Sequence, residues 1–178
     1  AVVGRNEAKS KAAVDDLTQR GVKAIAVATD VADKAAIEAM IARVTKEFGR
    51  IDILVNNAGM SIRKPPHELE LDEWHKVIDT NLTSAFVCSK LAYPALKASG
   101  NGKVINIGSM MSIFGASFAT AYAASKGGIV QYTRACANAW APDNIQVNAI
   151  LPGWIDTDLT RGARQQVSGL HERVLART

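Results

Sequence analysis

The sequence predicts an α/β fold, a doubly wound parallel sheet, and three observations carry that prediction. Short β-branched runs alternate with longer segments of helical period along the whole chain. The connections between them are short, with no internal repeat and no low-complexity linker. Residues suited to chemistry gather just after the apolar runs, where ligands bind in sheets of this kind.

The elements follow in order. Ala1-Val2-Val3 reads as the second half of a strand, with no initiator Met and no signal-peptide pattern, which predicts that the chain begins inside a domain. Asn6 caps a helix from about Glu7 to Arg20, and Gly21 stops it. Lys23 to Ala28 is a second strand. Asp33 caps the next helix, in which Ile37, Met40, Ile41, Val44 and Phe48 recur at helical spacing until Gly49. Ile51 to Val55, apolar and bounded by Asn and Gly, predicts a strand buried on both faces. Beyond a polar loop with Pro65-Pro66, a helix is predicted over Leu71 to Ala98, kinked or interrupted near Pro94. Gly100-Asn101-Gly102 turns the chain into a strand at Val104 to Ile107. A helix follows from about Thr120 to Trp140, then a strand at Ile145 to Ile150, stopped by Pro152-Gly153. From Asp156 the chain is amphipathic without a clear boundary.

Composition narrows the function classes. With 178 residues, 48% hydrophobic and 21% charged, the chain suits one well-filled core, read here as a single domain over 1–178. No apolar run approaches the roughly 20 residues that a bilayer span requires, so no membrane association is expected. Cys88 and Cys136 have no CxxC or metal-ligand spacing, which predicts two buried thiols, no metal site and a cytoplasmic location. The net charge of +4 comes partly from Arg161, Arg164, Arg173 and Arg177. Elsewhere opposite charges alternate and no basic stripe forms, so nucleic acid is not an expected partner.

The strongest chemical constellation is Tyr122-Ala-Ala-Ser-Lys126. A spacing of four places phenol and ammonium on one helical face, one turn apart. Tyrosine alone, with a pKa of about 10, is a poor acid or base at neutral pH, and a fixed cation beside it favours the phenolate. Ser109, just past the strand Val104 to Ile107, offers a hydroxyl for a substrate oxygen, with Ser112 in the same loop as the competing candidate. Asn56-Asn57-Ala58-Gly59 directly follows an apolar strand. Its Asn side chains suit backbone groups of neighbouring strands, and Ala-Gly lets a flat ring approach. Asn81 lies inside a helical run, where an ordinary Asn faces solvent.

In this order the motifs resemble those of the short-chain dehydrogenase/reductase family: Asp30-Val31, Asn56-Asn57-Ala58-Gly59, Asn81, Ser109, Tyr122-x-x-x-Lys126, and Pro152-Gly153 with Thr157. The resemblance implies a Rossmann-like fold and reversible hydride transfer between a nicotinamide and a ketone or secondary alcohol. It assigns Tyr122 as the catalytic acid/base and Ser109 as the group that polarises the carbonyl. Lys126 would lower the tyrosine pKa and hold the nicotinamide ribose, and Asn81 would position a water in a proton relay. Asp30 and Val31 would flank the adenine, while Asn57, Ala58 and Gly59 line the cofactor cleft. Pro152 and Gly153 would border the same cleft, with Ile155 and Thr157 at the carboxamide. Gly4 stands where NAD-specific members carry an acid, and Arg5 comes next, a guanidinium suited to a 2′-phosphate. NADP(H) is therefore the expected cofactor and NAD(H) the alternative.

The sequence also departs from the family. No G-x-G-x-x-G or T-G-x-x-x-G-x-G run occurs, and the family places that phosphate-holding turn, with its first strand, before Ala1. The family's last strand is likewise missing after Thr178. The first strand lies mid-sheet in that architecture, so a gap between two neighbours is expected, and with it a longer polypeptide. Around Ser61 to Asn81 and Pro152 to Thr160 the wording is closest to sugar and sugar-acid dehydrogenases and to 3-oxoacyl-carrier-protein reductases. The expected substrate is thus a sugar, a sugar acid or a 3-oxoacyl compound. A homodimer or homotetramer is implied, paired through Leu71–Ala98 and Thr120–Trp140. The alternative function is a catalytically silent fragment or scaffold of the same fold.

Overall fold

A computed structural model describes residues 1–176, which leaves Arg177 of the basic tail outside the described residues. The elements run β1 (Val2–Gly4), α1 (Glu7–Gln19), β2 (Ala26–Ala28), α2 (Lys34–Phe48), β3 (Ile53–Asn56), α3 (Leu71–Ile78) and α4 (Ser84–Ala98). Then come β4 (Lys103–Ile107), the short α5 (Met111–Phe114), α6 (Thr120–Trp140), β5 (Gln146–Ile150), α7 (Asp158–Gln166) and α8 (Leu170–Leu175). All strand pairs are parallel, as the α/β reading requires.

Local capping explains the first helices. The Asn6 side chain accepts the Lys9 N–H at 2.9 Å, and Asp33 accepts from Ala35 and Ala36 at 2.8 and 3.3 Å. Gly49 ends α2 with φ at +74°, a backbone state in which glycine carries no Cβ penalty. The second strand is shorter than expected, because only Ala26 to Ala28 find ladder partners on β1.

Two corrections concern the long helical run. Pro94 sits inside α4 without interrupting it. Its missing N–H deprives one carbonyl, that of the exposed Lys90, so water can replace the bond. The irregularity lies upstream instead, where Asp79–Thr83 forms a wider π-type turn between α3 and α4. That turn carries Asn81 inward to 2% exposure, so the solvent-facing placement ordinary for a helical Asn does not hold.

The core forms where α4 and α6 lie on β4 and β5, with Ala92, Leu96, Val104 and Ile145 essentially sealed. Gly102 is required beneath α4, since a Cβ there would stand 2.9 Å from the Leu96 carbonyl oxygen. A second cluster joins α2 to α4 through Ile37, Met40 and Cys88.

The strands form two separate sheets, β1-β2 and β3-β4-β5. A cleft of about 810 Å³ runs between them, bordered by Val3 and Gly4 on one side and Ile53, Val55 and Asn56 on the other. The expected burial of β3 on both faces is overturned: Ile53 is 61% and Val55 51% exposed. Helices α2 and α4 cover the face carrying Leu54, while Ile53 and Val55 point the other way, into the cleft.

Candidate active site

The site is built where β4 ends and α6 begins. After Ile107 the chain stays close to β5, with the Gly108 N–H donating to the Ile150 carbonyl at 2.8 Å. Ser109 follows, 7% exposed, its Oγ accepting the Met111 N–H at 3.1 Å. That bond orients the hydroxyl at the wall of a space that the Tyr122 side chain also lines. The competing Ser112 is engaged elsewhere: its Oγ donates to the Lys126 carbonyl at 2.8 Å and braces α6.

One turn along α6, Lys126 is 4% exposed and its Nζ donates to the Ile107 carbonyl at 2.6 Å. The same Nζ sits 5.7 Å from the centre of the Tyr122 ring. Burial lowers the Lys126 pKa to about 8. For Tyr122 burial also dominates and raises the pKa, while the Ser109 hydrogen bond and the Arg63 charge pull it down. Arg63 thus opposes burial at the phenol, while the Lys126 ammonium lies over the ring face.

Asn81 works as a clamp. Its amide accepts the Met60 N–H at 2.8 Å and donates to the Met60 carbonyl at 2.9 Å. It also donates to Ser125 Oγ at 3.0 Å, and Ser125 in turn donates to the Tyr122 carbonyl at 2.7 Å. The loop after β3 is thereby tied to the turn that carries the phenol. At Gly59 a Cβ would reach within 3.5 Å of both Asn81 Oδ1 and Lys126 Nζ, so the backbone passes close to both. Asn56 departs from its predicted role. Its Nδ2 donates to Ser89 Oγ at 3.0 Å and to Asn106 Oδ1 at 2.8 Å, satisfying side chains rather than backbone.

A cavity of about 270 Å³ opens beside this centre. Of the predicted residues it gathers Asn57, Gly59, Ser109, Tyr122 and Lys126 on one side. Pro152, Gly153, Ile155 and Thr157 stand on the other, with Thr157 capping α7 by accepting the Thr160 N–H at 3.4 Å. Val31 and Ala58 border the larger cleft instead. Arg5 and Asp30 line neither space; they face each other at 3.7 Å, both largely exposed.

A smaller cavity, about 60 Å³, adjoins the one of about 270 Å³ and shares Ser109 and Tyr122, with Arg63 and Trp154 also in its wall. No motif marks Arg63 or Trp154, although both fall in the segments, Ser61 to Asn81 and Pro152 to Thr160, whose wording is closest to sugar-acid dehydrogenases and 3-oxoacyl-carrier-protein reductases. Their only signal was a cation soon after Asn56–Gly59 and an aromatic directly after Pro152-Gly153. Among the described residues no group of three His, Cys, Asp or Glu side chains is placed to hold a metal ion. No described helix is long and apolar enough to cross a membrane.

Parallel strands, with Ser109, Tyr122 and Lys126 gathered at the strand tips beside two adjoining cavities, define a dehydrogenase-type α/β protein. The profile described as short chain dehydrogenase matches residues 1–168, and the chain belongs to that family. It is 39% identical over 164 residues to 2-dehydro-3-deoxy-D-gluconate 5-dehydrogenase of Escherichia coli (strain K12), covering 92% of this chain and 65% of that protein. It is 38% identical over 147 residues to cis-4-hydroxycyclohexanecarboxylate dehydrogenase of Sinomonas cyclohexanicum, covering 82% of this chain and 59% of that one. A solved gluconate 5-dehydrogenase from Burkholderia cenocepacia J2315, in complex with NADP and tartrate, superposes with a TM-score of 0.91 at 33% identity. That match covers 99% of this chain and 69% of the other. The chain therefore spans about three fifths to two thirds of the length of these relatives.

Proposed function

We propose that the protein is an NADP(H)-dependent oxidoreductase that interconverts a ketone and a secondary alcohol on a small hydroxy acid. The observation that carries this reading is the gathering of Ser109 and Tyr122 beside the buried Lys126, at the wall that two adjoining cavities share.

The larger cavity fits the nicotinamide-ribose end of a dinucleotide. Lys126 spends one of its three N–H bonds on the Ile107 carbonyl, which leaves two donors for ribose hydroxyls. The close backbone at Gly59 suits a flat ring, and Asn57, Ile155 and Thr157 complete the wall. Arg5, exposed at the end of β1 and only loosely paired with Asp30, suits a 2′-phosphate. A bound dinucleotide supplies the hydride, and the protein supplies orientation and the proton.

The side chains divide the remaining work. Burial keeps Tyr122 protonated at neutral pH, so the phenol is set to donate its proton to a substrate oxygen during reduction. Ser109 and Tyr122 line the same cavities, and an oxygen placed between them takes a hydrogen bond from each as its negative charge grows. Asn81, through Met60 and Ser125, keeps loop and helix in register around that point. Its expected role as a water holder in a proton relay belongs to this proposal.

For the substrate, the names of the relatives point to ring or chain carboxylates bearing a secondary alcohol, and the solved neighbour holds tartrate. The 60 Å³ cavity suits such a short acid better than an acyl chain. On this reading the protein acts in the cytoplasm as a homodimer or homotetramer, with the exposed Phe86 edge-on to Tyr132 on the helices expected to pair. The test is turnover of short keto acids with NADPH by the intact protein and its Tyr122→Phe variant. The variant should lose about 10²- to 10⁴-fold in turnover while keeping NADPH affinity. A wild-type protein without turnover would sink the proposal in favour of a silent scaffold.

A further inference from the structure

Arg63 stands in the loop between β3 and α3, and its side chain lines the small cavity that Ser109 and Tyr122 also face. It donates from Nη1 to Gln166 Oε1 at 2.8 Å and from Nη2 to the Leu159 carbonyl at 2.9 Å. Both acceptors belong to α7 and both are uncharged. Among the described residues, no carboxylate lies within ion-pair distance of Arg63.

Its neighbours show that this is unusual locally. Lys64, the next residue, is paired with Glu73 at 2.6 Å. Arg161 holds Asp156 and Asp158, and Arg164 holds Asp156, each at 2.8 Å. Arg63 is thus the cation in this wall that keeps its charge uncompensated while partly withdrawn from water. A charge desolvated in this way is costly unless a partner is supplied. Two of its five donors are used, and a guanidinium has the fork geometry for a carboxylate. Burial also weakens its hold on its proton, which an adjacent anion would reverse.

We propose that Arg63 is the residue that selects the substrate's carboxylate, pairing with it across the small cavity while Ser109 and Tyr122 hold the reacting oxygen. The inference rests on the function proposed above for the identity of that oxygen, whereas the carboxylate contact is measurable without turnover. It also gives the 61–70 loop a reason to be tied to α7: Leu159 and Gln166 hold the guanidinium against the cavity wall.

The experiment is calorimetric titration of the intact protein with D-gluconate and with its neutral counterpart D-sorbitol, for the wild type, Arg63→Met and Arg63→Lys. Arg63→Met should weaken gluconate binding about 10- to 100-fold, the scale of a charge-assisted hydrogen-bonded pair. Its NADPH affinity and thermal midpoint should stay unchanged, and Arg63→Lys should recover part of the loss. A gluconate-to-sorbitol preference that is the same in wild type and Arg63→Met overturns the assignment. So does a loss of NADPH affinity equal to the loss of gluconate affinity, which would make Arg63 a brace for α7. Arg63-dependent gluconate binding by a protein that reduces no ketone would leave this assignment standing and overturn only the proposed reaction.

Discussion

The two sides of the β3–β4 pair are built differently. On the α6 side, polar groups are buried and bonded in chains. Asn56 reaches Ser89 and Asn106, and Asn106 Nδ2 donates to Thr133 Oγ1 at 2.9 Å. Ser109, Lys126 and Asn81 continue that pattern at the strand tips. On the β1 side, Ile53 and Val55 face an open cleft, and the charged pair Arg5–Asp30 stands at an exposed position after the strands. The contrast teaches that the half carrying Ser109, Tyr122 and Lys126 is organised by this chain's own contacts. On the function proposed above, the phosphate end of a dinucleotide would meet that open edge and the exposed Arg5. A satisfied buried network holds geometry because breaking any member leaves an unpaired group in low dielectric, whereas an exposed pair holds almost nothing.

The comparison sharpens first on stability. Leu96→Ala, at a sealed site on the α6 side, should cost about 2–5 kcal/mol in denaturant unfolding. Substituting Ala at an equally closed position with no loss would mean that this side is looser than its burial implies. The next effect is in pH dependence. Lys126 holds its proton below about 8, so kcat/KM for NADPH should be flat under pH 7 and fall about tenfold per unit well above 8. In Lys126→Met that fall should vanish, with activity low throughout. A limb unchanged by the substitution would assign the titration elsewhere.

Smaller effects belong to the cleft side. Arg5→Ala should weaken NADPH binding about tenfold and leave NADH binding alone, a change read from the two dissociation constants. Equal weakening of both would remove Arg5 from the choice of cofactor. Smallest of all, Ile53→Ala should change the unfolding free energy of the 178-residue chain by less than about 0.5 kcal/mol, since the side chain is 61% exposed. The same substitution costing several kcal/mol in a longer polypeptide would show that the cleft is covered there.

Much of this was legible in the residues, for local reasons. Asn6, Asp33 and Gly49 mark helix ends because caps act within a turn of themselves. Tyr122 and Lys126 share a face because helical period puts them there. The π-type turn at Asn81 was hidden, since nothing in Asp79–Thr83 forbids an ordinary helix; the clamp on Met60 forms across 21 residues of chain. Pro94 misled in the opposite direction, because the cost of its missing bond depends on whether the deprived carbonyl meets water.

By itself, then, the order of residues determined the succession of strands and helices, their caps, and the pairing of phenol with ammonium. Periodicity and capping are short-range, and a short-range rule can be read along a line. Only the tertiary structure decided that the Ser112 hydroxyl is spent on the Lys126 carbonyl, that Arg63 shares a cavity with Ser109 and Tyr122, and that one face of β3 stays open. Those outcomes depend on strand register and on which helix covers which face, and both are settled between segments tens of residues apart.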